Sequence, residues 1–317
     1  MPGDTLITGG SGFLGTAVAR AILCRDPSRG VVLADLVRSP RLGTLVDRVV
    51  FAEADLADPA CCQQLVTPDV RVIYHFASLV SGGAESDFVG GYRANLYATL
   101  NLLEACRKGA CAPRFVFTSS IATFGGSDLP ETVNDWTFQH PQNSYGVAKV
   151  IGEQLLNDYS RKGYIDGRGV RLPAIVVRDE ANTAASGYVS ALVREPVAGR
   201  DYVCPVPAET RIPILSVDRC VQVLVTLGEL AEGRLGDYRT INGPSISPSA
   251  QEIADAVQRA GMRNLGRISF KLDAEITRMI QAWPERMAHD HAAALKIAPD
   301  DGIESIVQDY TRKLGTR

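Results

Sequence analysis

The sequence predicts an α/β fold: a Rossmann-type, doubly wound parallel sheet with a smaller C-terminal α/β lobe. Three observations carry that expectation. Short apolar runs alternate with helical patterns through the first half of the chain. The first run leads into a glycine-rich turn, Thr8-Gly9-Gly10-Ser11-Gly12-Phe13-Leu14-Gly15, and beyond Pro173 the alternation becomes irregular. Runs too continuous for one-faced strands are strands buried on both faces. Separated by helices, such strands make a parallel sheet with right-handed crossovers and ligands at their carboxyl ends.

Taken in order, the runs place strands over 5–8, 31–34, 49–52, 72–76, 115–118 and 170–172. A helix opens at Phe13, directly after the glycine turn, and extends to Cys24. Longer helical patterns cover 88–108 and 144–162. Residues 174–213 are rich in small residues, arginine and proline, which suits loops that close over a ligand better than an extension of the sheet. Helical patterns return over 217–229, 248–260, 274–287 and 302–313, and a late strand over 238–241 ends at the turn Asn242-Gly243-Pro244. The domain boundary is therefore expected at 173: a Rossmann domain over 1–173, then a mainly substrate-binding lobe over 174–317 with some segments returning to the sheet. No internal repeat or low-complexity stretch interrupts this order.

Composition narrows the class. A hydrophobic fraction of 45% with 22% charged residues is that of a packed globular enzyme, and a net charge of −3 offers no footprint for nucleic acid. Seven cysteines have neither metal-ligand spacing nor the density of a disulfide scaffold, and His140, His289 and His291 form no ligand set, so no metal is expected. No stretch reaches the length of a membrane span and no signal-peptide pattern precedes the first strand, so a cytoplasmic location is expected.

The chemistry is concentrated in Ser144-Tyr145-Gly146-Val147-Ala148-Lys149. Residues four apart share a helix face, so the Lys149 ammonium can lie beside the Tyr145 phenol and favour its phenolate. In the glycine turn, Gly9, Gly12 and Gly15 allow a tight bend and close backbone approach, and the amides at Phe13 and Leu14 open a helix whose positive end suits a pyrophosphate. Asp35 ends the second strand about twenty residues further on, where a carboxylate accepts from ribose hydroxyls and repels a 2′-phosphate; NAD is expected over NADP. Asp55-Leu56 follows the third strand as an adenine contact, although Asp55 could equally serve as a helix cap.

With these motifs in place the chain resembles the extended short-chain dehydrogenase/reductase family over nearly its full length. The matching residues are Thr8 to Gly15, Asp35, Asp55-Leu56, His75-Phe76-Ala77-Ser78, Asn95, Ser119-Ser120 and Tyr145 to Lys149. The resemblance implies that Ser120 positions the reacting hydroxyl, Tyr145 removes its proton, and Lys149 holds the nicotinamide ribose and tunes the tyrosine. It also implies cofactor contacts at Phe76, Ala77, Ser78, Asn95, Ser119 and Pro173, and a homodimer paired through 88–108 and 144–162, where Leu100, Leu103, Val150 and Leu155 look surplus to one buried face. His75 reads as a packed strand-end histidine.

The stretches Phe117 to Gly125, Asp158 to Arg161, Arg171 to Pro173, Ala184 to Gly187, Arg194 to Pro196 and Cys204 to Pro207 look like one subfamily, the D-erythronate dehydrogenases, which oxidise C2 of a four-carbon sugar acid with NAD. Residues 179–180 and 212–214 depart from that pattern. An anionic substrate calls for guanidinium groups, for which Arg178, Arg194 and Arg211 are the candidates, and Ser81, Asn143 and Ser186 are candidate donors to it. A nucleotide-sugar 4-epimerase, which uses the same serine, tyrosine and lysine, is the alternative. A dehydratase of this fold carries Asp-Glu where this chain has Ile121-Ala122, and a non-catalytic NAD-sensing protein would lack the Tyr145/Lys149 pair.

Overall fold

A computed structural model describes residues 4–177, 186–262 and 264–315. The chain divides into two compact units, the first made of 1–123, 143–171 and 221–241, the second of 124–142, 172–220 and 242–317. The second unit thus draws on 124–142 as well as on the chain beyond 171, whereas the sequence put all of 1–173 in the first.

The first unit carries β1 (Thr5–Thr8), β2 (Val31–Asp35), β3 (Val50–Glu53), β4 (Val72–His75), β5 (Arg114–Ser120), β6 (Asp166–Leu172) and β7 (Thr240–Asn242). They form one sheet in the order β7-β6-β5-β4-β1-β2-β3. The pairings of β1 with β2 and β4, of β2 with β3 and of β4 with β5 are parallel. The order reverses between β1 and β4, and Thr8 lies opposite His75 there, so the glycine turn leaves the sheet at its switch point. Leu6, Ile73, Phe115 and Phe117, all at most 1% exposed, pack against Leu102, Leu103 and Leu156 of the covering helices. β6 begins at Asp166, earlier than its apolar run implies, because Arg168 and Arg171 lie buried within the strand. The expected helix over 88–108 is interrupted: Phe88–Tyr92 and Ala98–Gly109 are α-helical, and Arg93–Tyr97 between them is one π-helical turn around the buried Asn95. Leu103 belongs to this core, so only Leu100, Val150 and Leu155 of the four positions assigned to a dimer face are partly exposed.

The second unit has three short two-stranded pairings; a core of Val176, Leu192, Ile214, Ile253 and Val257 joins two of them to the helices Gly187–Val197, Ala250–Arg259 and Ile303–Gly315, and a smaller cluster of Phe124, Val133 and Met287 holds the third. Those pairings are Ala174–Val176 with Ile214–Ser216, Tyr202–Cys204 with Ile268–Phe270, and Thr132–Val133 with Arg286–Met287. The last corrects the helix expected over 274–287. It stops at Gln281, short of Pro284, whose missing N–H cannot continue it, and Arg286–Met287 turns into a strand. Among the described residues no helix is long and apolar enough to cross a membrane, and no cluster of three or more His, Cys, Asp or Glu could hold a metal.

Candidate active site

The glycine turn is built for a close neighbour. Gly9 has φ +65, and a Cβ there would lie 2.7 Å from the Ala77 amide nitrogen; a Cβ on Gly15 would lie 2.3 Å from the Gly9 carbonyl oxygen. Any side chain would push the helix off the end of β1. The helix Phe13–Arg25 starts at Gly12 with no side-chain cap and no acid in its first turn, so its positive dipole end opens onto the glycine turn. Asp35 completes the edge. Its Oδ2 accepts from the Ser11 amide at 2.9 Å and its Oδ1 from the Leu36 amide at 2.9 Å, which fixes the carboxylate beside the turn. A loop that excludes side chains, a helix start without a side-chain cap and a fixed carboxylate suit a dinucleotide: the amides at Phe13 and Leu14 for its pyrophosphate, Asp35 for its adenosine ribose.

The neighbouring loops are held by side chains that the sequence assigned to the cofactor. Asn95 accepts from Ser78 Oγ at 2.9 Å and from the Leu79 amide at 2.7 Å, and donates to the Leu79 carbonyl at 2.9 Å. Asn95 and Ser78 therefore lock the loop that carries Phe76 and Ala77. Asp55 is not a helix cap, since Asp58 caps Pro59–Leu65; its carboxylate bonds Arg93 Nη2 at 2.6 Å and the Ala57 amide. The Arg93 guanidinium, with that amide, holds the Asp55 carboxyl below the usual range. Leu56 is buried and its carbonyl accepts from Asn101. His75 sits between Thr8 Oγ1 at 2.7 Å and Thr99 Oγ1 at 2.9 Å. Burial, with the Lys149 charge nearby, lowers its pKa to about 3, so it is a neutral fixture of the sheet.

The helix Ser144–Arg161 is capped by Asn143, whose Oδ1 accepts from the Gly146 amide at 2.8 Å; that carbonyl is therefore engaged in starting the helix. One turn separates Tyr145 from Lys149 and another separates Lys149 from Glu153. Lys149 Nζ lies 5.4 Å from the centre of the Tyr145 ring and 5.0 Å from that of Phe117. Burial brings the lysine pKa down to about 8 against the opposing pull of Glu153. Gly152 makes the approach to β5 possible, since a Cβ there would stand 2.6 Å from the Phe117 ring. At the end of β5 the Ser120 hydroxyl accepts from the Ala122 amide at 3.1 Å, which turns the chain into the 3-10 segment Ile121–Thr123. Ser81 opens the short helix Ser81–Ser86 and is partly exposed.

Beneath this row lies a cluster that the sequence reading missed. Arg171 on β6 is 1% exposed and Glu153 0%; the guanidinium donates from Nε to both carboxylate oxygens at 3.1 Å and from Nη2 to Oε2 at 2.8 Å. Ser119 Oγ donates to Glu153 and Tyr238 Oη accepts from Arg171 at 2.7 Å. The Ser119 side chain is therefore engaged here. A charged residue inside an otherwise doubly buried strand was the available signal, since a buried guanidinium demands a carboxylate.

The remaining candidates belong to the second unit. Arg211 is bidentate to Glu252 at 2.7 and 2.9 Å and also donates to the Ser247 carbonyl at 2.8 Å, so it serves the capping box of Ala250–Arg259. Arg194 bonds Glu195 through Nε at 2.8 Å, while its buried Nη1 has no hydrogen-bond partner among the described residues. Ser186 precedes Gly187–Val197 without a side-chain capping bond, and Pro173 separates β6 from Ala174–Val176. Arg178 lies outside the described residues, as do Ala184 and Ala185.

Fold and site define the class: a dinucleotide-dependent enzyme of the Rossmann type. The chain belongs to the NAD dependent epimerase/dehydratase family, whose model matches residues 5–236, and it is an NAD-dependent oxidoreductase. It is 40% identical to a D-erythronate dehydrogenase of Cupriavidus necator, over 98% of this chain and 99% of that one. A D-erythronate dehydrogenase of Haemophilus influenzae is 38% identical, over 96% and 98%. Among solved structures, a nucleoside-diphosphate-sugar epimerase from Agrobacterium tumefaciens superposes with a TM-score of 0.90 at 32% identity, over 99% of this chain and 96% of that one.

Proposed function

We propose that the chain oxidises the C2 hydroxyl of a short sugar acid, D-erythronate or a similar four- to six-carbon aldonate, to the 2-keto acid. The observation that carries this reading is the stacked Tyr145, Lys149 and Glu153 face, joined to full-length similarity with two D-erythronate dehydrogenases. Bound at the glycine turn, NAD supplies the hydride acceptor. Tyr145 would take the hydroxyl proton, Lys149 would support the phenolate and hold the nicotinamide ribose, and Ser120 would orient the hydroxyl. Of the arginines proposed for the carboxylate, Arg194 is the favoured one, because it keeps a buried Nη1 without a partner while Arg211 serves Glu252. The same reading pairs two copies of the chain through 88–108 and 144–162, where Tyr97 is 55% exposed. Seven cysteines without a disulfide suit a reducing cytoplasm.

The test is NADH formation by the purified protein across four- to six-carbon aldonates. Free NADH in proportion to the acid consumed supports the proposal. The 32% identical epimerase structure keeps one rival open, and tightly held NAD, UDP-sugar interconversion and no NADH from any aldonate would decide for it.

A further inference from the structure

At the amino ends of β4, β5 and β6, the opposite end of the sheet from the glycine turn, the first unit has a groove of about 590 Å³. That volume is in the range of small-molecule sites. Its charged lining is Arg29, Arg71, Arg114 and Arg239 against Asp166 and Glu232. Two of these charges are answered locally. Arg29 bonds Asp4 at 2.8 Å and reaches Asp26 at 3.6 Å, and Asp166 is held at 2.6 Å by the buried Arg168 behind it. Arg239 pairs with the other oxygen of Asp166 at 3.3 Å, which leaves Arg71 and Arg114 facing Glu232 among the charged residues of the lining. Among the described residues neither Arg71 nor Arg114 is paired with a carboxylate, and both are exposed; Arg114 donates to the Gly228 carbonyl at 3.3 Å. The floor loop is unusual too. Ala112, in the lining, holds φ +41 two residues after the left-handed Ala110, a conformation that non-glycine residues adopt where the surroundings impose it.

We propose that this groove binds a small phosphorylated metabolite, with Arg71 and Arg114 as the principal phosphate ligands. Guanidinium forks match phosphate oxygens two at a time, and two guanidiniums without carboxylate partners on one groove are what a ligand carrying at least two negative charges would draw together. The glycine turn binds its phosphates through amides at the other end of the sheet, so the two sites are separate and this proposal does not depend on which acid the enzyme oxidises.

The experiment is titration calorimetry of the full-length protein, saturated with NAD so that the glycine turn is occupied, with inorganic pyrophosphate as probe and citrate as the non-phosphate comparison. Expected is one pyrophosphate site per chain, weakened ~10–100-fold by Arg71→Gln or Arg114→Gln, the loss of one charge-assisted contact. Citrate should bind at least ~10-fold more weakly. Thermal midpoint and NADH formation should be unchanged in both variants, which are surface changes remote from Tyr145. No pyrophosphate binding, binding unaltered in both variants, or citrate matching pyrophosphate would each overturn the proposal.

Discussion

Replacing Glu153 by Gln keeps the shape of the side chain and removes its charge. What remains is the Arg171 guanidinium, 1% exposed, with two of its donors aimed at a neutral carbonyl and Nη2 still donating to Tyr238 Oη. Breaking a buried pair from one side costs about 3–5 kcal/mol, because the surviving charge is left uncompensated. At ~2–4 °C per kcal/mol for a unit of 150–250 residues, the melting temperature should fall by ~6–20 °C. The double variant Glu153→Met/Arg171→Met removes both charges together. It should recover most of the loss and stay ~1–3 kcal/mol short of the parent, since the Ser119 and Tyr238 hydroxyls lose their partners. The assay is urea unfolding of the parent, Glu153→Met, Arg171→Met and the double variant, read as a coupling energy between the two positions, with Glu153→Gln measured beside them. A single variant within ~1 kcal/mol of the parent, or a double variant that loses the sum of the singles, would refute the account of a mutually compensated buried pair.

Other outcomes follow from the same geometry. Tyr145→Phe should lower kcat by at least ~10²-fold while NAD still binds, measured by initial rates and by cofactor titration. The Lys149 pKa is lowered from 10.5 to about 8, so between those values the unfolded chain holds a proton that the folded chain has released. Stability should therefore rise with pH across that window, by up to ~1.4 kcal/mol per pH unit relative to Lys149→Met, in urea midpoints compared at each pH. Asp35→Ala should narrow the preference for NAD over NADP in kcat/KM, and equal use of both cofactors by the unmodified enzyme would remove the premise. Arg194→Ala should raise KM for the sugar acid by ~10–100-fold with little change in melting temperature; an unaltered KM would eliminate it as the carboxylate ligand.

The Rossmann half was legible because its strands are buried on both faces and must be apolar, and because the glycine turn and Asp35 answer to backbone geometry that few residues satisfy. Six of the seven expected strands start and end within two residues of their observed bounds. What escaped did so for physical reasons. Strands of two or three residues, such as Tyr202–Cys204 and Thr132–Val133, carry no alternation to read, and their pairing partners lie far away in sequence. β6 was cut short because Arg168 and Arg171 look like surface residues until their partners Asp166 and Glu153 are placed. The π-helical turn at Arg93–Tyr97 leaves the helical periodicity almost intact, so nothing in the spacing announced it.

The site was legible unevenly, and the unevenness follows from where each group's partner lies. Tyr145 and Lys149 are one turn apart, so the pattern states their geometry. Glu153 is one turn further along the same face, but its meaning depends on Arg171, 18 residues on and in a different element. That pairing gives Glu153 a place in the chemistry. It keeps a carboxylate under a lysine whose pKa burial lowers, and Arg171 in turn holds that carboxylate in place. The row from Tyr145 to Arg171 therefore runs phenol, cation, anion and cation, with Tyr145 the base under the proposed function. If that order tunes the base, Glu153→Gln should shift the pH profile of kcat more than it lowers the rate at its optimum, and Arg171→Met should do the same through the loss of Glu153's partner. A variant in which rate falls uniformly at every pH would instead mark the pair as scaffolding for the helix alone.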